Sequence, residues 1–222
     1  AEHVESVSGS CLLEVFRKSM NRTTVSKVLF RGNGGESAMI RSVTLKNFKS
    51  LVDFRIDFEK FTCLVGLNGA GKSTVLQALD FLGNLMLEDV DVNRWLTSRR
   101  WKASDMLSRT AGEKYRRSTI HFEVEMIVGE AEVRWSAGFN CAEPFLRCTS
   151  ETVETLDGAP LLRVRDGRYS LGDEAFRQID FKYQGSVLSR LKETVLKSYP
   201  LLQAVRKQVA SIQSLDLLSP SQ

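Results

Sequence analysis

The chain has 222 residues, 42% of them apolar and 26% charged, with 31 Lys and Arg against 27 Asp and Glu for a net charge of +4. That size suits one domain or two lobes, and the mild charge permits nucleic-acid contact without arguing for it, because basic surface must be clustered to matter. No apolar run reaches the roughly 20 residues a bilayer helix needs, residues 1–9 lack the basic-then-apolar pattern of a secretory signal, and Cys11, Cys63, Cys141 and Cys148 show no C-x-x-C spacing to accompany the two histidines, His3 and His121, so no membrane helix, secretory signal or structural zinc site is expected. Thiols in a reducing cytoplasm are the expectation, with Cys63 as a small buried residue of a strand.

In chain order, residues 1–38 read as a leader, tag or N-terminal extension, with a genuine N-terminal arm as the rival. Their apolar patch, Cys11 to Phe16, suits a helical turn or two, and the stretch from Gly32 to Ser37 is linker-like. Met39 opens a patterned segment covering 39–87. Ile40, Val43 and Leu45 predict a strand, Asn47 to Ser50 a turn, and the alternation of Val52, Phe54, Ile56 and Phe58 with Asp53, Arg55 and Asp57 a half-buried strand. Phe61 to Val65 is a short apolar run suited to a buried strand.

The next residues carry the strongest signal in the chain. Gly66 to Thr74, GLNGAGKST, fits G-x-x-x-x-G-K-[ST], and Val75, Leu76, Leu79, Leu82 and Met86 then recur at helical spacing. Strand, glycine loop and helix is the context of a P-loop. A nucleoside triphosphate concentrates negative charge. Glycines at 66, 69 and 71 let the backbone curl so that successive N–H groups point inward, and the helix adds its positive end. Lys72 is expected on the β- and γ-phosphates and the Ser73 hydroxyl on Mg²⁺. A dinucleotide loop fits less well, since Thr74 stands where G-x-G-x-x-G wants glycine.

Residues 88–117 form a basic insertion. Arg94, Arg99, Arg100, Lys102, Arg109, Lys114, Arg116 and Arg117 are interleaved with Trp95 and Trp101. Basic residues with aromatics can bind nucleic acid, which singles out Arg99, Arg100, Arg116 and Arg117; the plainer expectation is a solvated insertion whose tryptophans pack on the core. Residues 118–183 alternate as antiparallel β, with turns at Gly129-Glu130 and Asp157-Gly158. Residues 184–222 read as helical. Val187, Leu188, Leu191 and Val195 share one stripe, and Pro200 starts a second helix with Leu202, Val205, Val209 and Ile212 on its apolar side.

Met39 to Ser50, with its N-F-K-S turn, followed by Gly66 to Thr74 resembles the opening of ABC-type ATPases of the RecF, SMC and OLD kind, and the later strands and helices resemble the middle of stand-alone ATPases of anti-phage defence. The resemblance implies an α/β fold: a P-loop lobe with an antiparallel β subdomain and C-terminal helices. It implies ATP and Mg²⁺ held by Lys72, Ser73 and Thr74, with Asn68, Gly69, Ala70 and Gly71 as backbone donors and Lys49 and Ser50 beside the nucleotide. In such proteins a second head domain closes the site. The signature serine-glycine motif, the apolar run ending in Asp-Glu and the switch histidine are not found here, so an incomplete head is expected. Its partners would be the missing C-terminal half or a second copy, a nuclease or effector, and DNA, in the cytoplasm and away from membranes.

Three functions compete: an ATPase completed by its other half, a non-hydrolytic nucleotide-binding or docking module, and another P-loop enzyme. Against the last, no N-K-x-D guanine motif is found, and a long β insertion before any further α/β repeat is atypical of small kinases.

Overall fold

The computed structural model describes residues 23–28, 38–59, 62–87, 91–109, 118–142, 146–181, 183 and 185–212. The expected helical turn at Cys11 to Phe16 and the glycine-rich stretch from Gly32 lie outside these residues.

An antiparallel sheet of eight strands forms the body. Its order is β10 (Arg177–Gln178), β9 (Arg168–Leu171), β8 (Pro160–Arg165), β7 (Arg147–Thr155), β6 (Ala131–Asn140), β5 (Thr119–Val128), β2 (Ala38–Phe48) and β3 (Leu51–Asp57). Neighbours are joined mostly by tight hairpins; the longer connection from β3 to β5 carries the glycine loop and its helix. The central pairing is β2 with β5, where Val43 faces Val124 and Leu45 faces Phe122. β2 and β3 therefore share one sheet with the strands after residue 118.

Period-2 alternation makes this sheet two-faced. Ile120, Phe122, Val124 and Met126 of β5 are buried on one side with Val133, Trp135 and Phe139 of β6. The opposite side is a charged surface on which Arg134 meets Glu125 and Glu154, and Arg55 meets Glu125.

The buried face is covered by α1 (Lys72–Leu85) and α4 (Pro200–Ala210). Phe81 of α1 lies among Phe48, Phe122 and Phe139, at ring-centroid distances of 6.5, 5.4 and 6.0 Å. Full burial of such a side chain contributes roughly 1.5–3 kcal/mol. Gly83 lets the chain end of α4 approach: a Cβ there would stand 2.2 Å from the Ile212 carbonyl oxygen. Pro200 starts α4 as expected, since its fixed φ and missing N–H cost nothing in a first turn.

Two expectations fail. The stripe Val187 to Val195 is not one helix but a 3₁₀ turn, Leu188–Arg190, followed by the one-turn α3, Glu193–Leu196. Leu191 and Lys192 between them are extended, with ψ of 130° and 145°. Val187, Leu188 and Leu191 of the stripe are in the core and Val195 is half-buried beside buried Leu196, so tertiary packing used the apolar residues without the period. The cause is Glu151 of β7. Its carboxylate, fully buried, accepts from the Val187 and Leu188 amides at 2.6 and 3.3 Å and from Ser186 Oγ at 2.5 Å, fixing the start of the turn.

The second failure concerns β4 (Thr62–Leu67), expected to be buried. It forms a separate two-stranded sheet with β1 (Thr23–Val28), antiparallel, with Thr23 opposite Leu67 and Val28 opposite Thr62. Thr62, Leu64 and Gly66 are half-buried, whereas Cys63, Val65 and Leu67 point outward. Val65 is 58% and Leu67 63% exposed, and Cys63 is exposed as well. The run is apolar on both faces, and among the described residues only one face is covered.

Candidate nucleotide site

The glycine loop leaves β4 at Gly66 and enters α1 at Lys72. Gly69 and Gly71 have φ of 87° and 91°, the left-handed region that glycine adopts without cost, and the Ala70 amide closes a turn onto the Leu67 carbonyl at 3.1 Å. Gly71 is the N-cap of α1, and no acidic side chain stands in the first helical turn, so nothing there opposes an anion. Asn68, Gly69 and Ala70 are exposed, as is Ser73 in the first turn of the helix.

Lys72 curls over the loop. Its ammonium donates to the carbonyls of Gly66 at 2.6 Å and Leu67 at 2.7 Å. The first of these bonds is part-buried and the second exposed, and a phosphate oxygen in the loop would compete for the same ammonium. Glycine geometry, an ammonium and a hydroxyl at a helix start together fit a polyphosphate with Mg²⁺, although the Ala70 amide, expected as a donor, is bonded here to the Leu67 carbonyl. Among the described residues there is no cluster of three or more His, Cys, Asp or Glu side chains able to hold a metal ion on its own.

The β2–β3 turn forms one wall. Asn47 and Lys49 both have positive φ, 63° and 48°, and the Lys49 amide donates to the Met106 carbonyl at 2.9 Å, which pins the turn. Ser50 Oγ donates to Thr74 Oγ1 at 3.1 Å, and lies 3.4 Å from where a Cβ on Gly71 would stand. The Lys49 ammonium donates to Gln77 Oε1 at 2.9 Å and sits 3.0 Å from the centroid of the Trp101 ring. Burial lowers its pKa, Asp105 pulls it back up and Arg99 lowers it again, to about 8. The structure thus sets Ser50 against Thr74 beside the loop, while the Lys49 side chain turns to Gln77 and Trp101, one helical turn further on.

The adjoining segment holds α2 (Val92–Ser98), N-capped by the Asp91 carboxylate, and a 3₁₀ turn, Ala103–Met106. Trp95 is buried and Trp101 half-buried, so both pack on the core. Trp95 Nε1 donates to Asp80 Oδ2 of α1 at 3.2 Å. Arg99 also pairs with Asp80 and stacks over Trp95, 4.1 Å from its ring. Arg99 is therefore engaged inward, while Arg100 is exposed; Arg116 and Arg117 lie outside the described residues. Sequence reading missed Gln77, Asp80 and the contact of Trp101 with Lys49. Gln77 could have been found, since it lies one turn beyond Thr74 on the same helix side. The Trp101 contact joins residues far apart in sequence and left no local signal.

Residues 39–125 match the family model described as AAA ATPase domain. Among curated proteins, an OLD nuclease of Thermus scotoductus is 32% identical over 85 residues, which is 38% of this chain and 15% of that protein. The chain thus spans less than a sixth of that relative's length. Among solved structures, that of the recombination mediator protein RecF with ATP overlaps 59% of this chain and 29% of its own, at 13% identity and a TM-score of 0.33. The matched segment holds the N-F-K-S turn, the glycine loop, α1 and the sheet strands β2, β3 and most of β5. Over residues 39–125 the chain is thus similar to an AAA ATPase domain, and over 85 residues it is similar to an OLD nuclease.

Proposed function

We propose that this chain is the ATP-binding portion of an ABC/SMC-like ATPase acting in DNA repair or anti-phage defence. The observation that carries the reading is the glycine loop itself, with Lys72 over the carbonyls of Gly66 and Leu67 at the start of α1. ATP enters with its triphosphate in the loop formed by Asn68, Gly69, Ala70 and Gly71. Lys72 exchanges its carbonyl partners for phosphate oxygens, Ser73 holds Mg²⁺, and Thr74, Ser50 and Lys49 line the side. Mg²⁺ supplies neutralising charge to the β- and γ-phosphates.

Hydrolysis is assigned to the complete head, with the second half coming from further polypeptide or a second copy. Phosphoryl transfer rests on positioning and charge, and Lys72 and Ser73 are only part of such a set. Nuclease, effector and DNA partners are proposed from the OLD nuclease relative, with the cytoplasm as the place of action. No described helix is long and apolar enough to cross a membrane. A second reading, a non-hydrolytic docking module, draws support from the outward Val65 and Leu67 beside the loop, an apolar surface suited to a protein partner.

Titration calorimetry with Mg²⁺–ATP tests the first reading. Lys72→Ala removes a charge-assisted contact and should weaken binding by roughly 1.5–3 kcal/mol. Equal affinity in both proteins would overturn the site. Steady turnover by the chain alone, abolished by Lys72→Ala, would overturn the dependence on a second half.

A further inference from the structure

Trp101 has no role in the nucleotide site as described so far, yet its ring is unusually well held. Phe81, Trp95 and Trp101 touch in series, the first pair tilted and the second edge-to-face, with centroids 5.4 and 5.6 Å apart. Trp95 in the middle is fixed to α1 by its hydrogen bond to Asp80, 3.2 Å long. The end ring is half-buried, and the group over it is the terminal ammonium of a lysine, 3.0 Å from the centroid. With the row fixed through Trp95, the face of Trp101 is covered by the tip of a long side chain, a cover that a flat ring can replace.

That surface lies beside the loop. The Lys49 ammonium also touches Gln77, five residues beyond Lys72 and so about 7.5 Å up the axis of α1 at 1.5 Å per residue. The preceding contact on the same wall is Ser50 with Thr74, 3.1 Å apart. From the helix start upward the wall therefore presents a phosphate-binding loop, then hydroxyls, then an indole. This is the order in which a nucleotide presents triphosphate, ribose and base.

We infer that Trp101 is the platform on which the base of the bound nucleotide stacks, the Lys49 ammonium leaving the ring for the phosphates as the base arrives. The inference rests on the nucleotide reading of Gly66 to Thr74 and adds to it the residue that recognises the nucleoside. Burial already disfavours the charge of Lys49 where it stands, so moving toward an anion costs the ammonium little. The Lys49 backbone need not move, being held by its bond to the Met106 carbonyl. Stacking on an indole is tolerant of base identity, so ATP and GTP are bound alike through this contact.

The test compares Mg²⁺–ATP with Mg²⁺–tripolyphosphate, which has the charge but no base, by calorimetry on the full chain. Trp101→Leu should weaken ATP binding roughly tenfold or more and leave tripolyphosphate unchanged, and Trp101→Phe, which keeps a stacking face, should recover most of the ATP affinity. ATP affinity unchanged in Trp101→Leu would overturn the inference. So would an equal loss for both ligands, which would mean that the ring only supports the loop. Failure of the unaltered chain to bind Mg²⁺–ATP would overturn the nucleotide reading itself, and the inference with it.

Discussion

Lys72 and Glu151 are both charged side chains bonded to backbone, and they stand at opposite extremes of commitment. Glu151 is fully buried and takes four donors, from Trp135, Ser186, Val187 and Leu188. It joins β7 to the segment before α4, and none of its partners can be exchanged without opening the core. Lys72 bonds two loop carbonyls, one bond part-buried and one exposed, and water or phosphate can take either place. Charge buried with all its partners specifies a fold; charge held loosely over a glycine loop is available to a ligand. The same contrast separates the two sheets. The central strands of the eight-stranded sheet, β2 and β5 to β7, bury one face, whereas β4, which delivers the loop, leaves Val65 and Leu67 outward.

The largest expected effect lies at Glu151. Glu151→Ala orphans an indole N–H, a hydroxyl and two amides in the core, and should cost about 3 kcal/mol or more of stability in urea titration. A loss under about 1 kcal/mol would break the comparison, showing that water reaches the site. The pH dependence sharpens it. Burial raises the Glu151 pKa despite the opposing bonds from Ser186, Trp135 and the Val187 and Leu188 amides. With the folded value above the unfolded one, the associated stability is full below the ordinary carboxyl pKa and is lost as pH rises through the raised value. Glu151→Gln should remove that slope.

The Lys72→Ala loss of ATP affinity comes next in size, and it should leave the urea midpoint nearly unchanged, because its present contacts are exchangeable bonds. The smallest effects divide the basic segment. Arg99, paired with Asp80 and stacked on Trp95, should act on stability: Arg99→Ala should cost at most about 1 kcal/mol and leave the salt dependence of any DNA binding alone. Arg100 is exposed, so Arg100→Ala should flatten the slope of log K against log salt by about 0.9 if it meets a phosphate. Arg99→Ala changing the slope and Arg100→Ala changing stability would reverse the assignment.

Much of this was legible beforehand because it is local. The alternation of β2, β3, β5 and β6 announces a half-buried sheet, and Pro200 announces the start of α4. The glycines of the loop and the helical run after Thr74 are equally direct. What was misread depends on neighbours far along the chain. Nothing around Phe61 to Val65 says which of its faces will be covered, so a run apolar on both faces read as buried. The stripe from Val187 to Val195 has helical spacing, but Glu151, 36 residues before Val187, claims the amides and sets a 3₁₀ turn instead.

By itself, the sequence determined the glycine loop, the antiparallel alternation and the starts of α1 and α4, since each follows from backbone preference and side-chain period over a few residues. Only the tertiary structure decided that β2 pairs with β5 to make one sheet, that β4 stands apart from it, and that Lys49 reaches Gln77 and Trp101. Those outcomes turn on which surfaces meet when the chain closes on itself, and pairing energies between distant segments leave no period in either one.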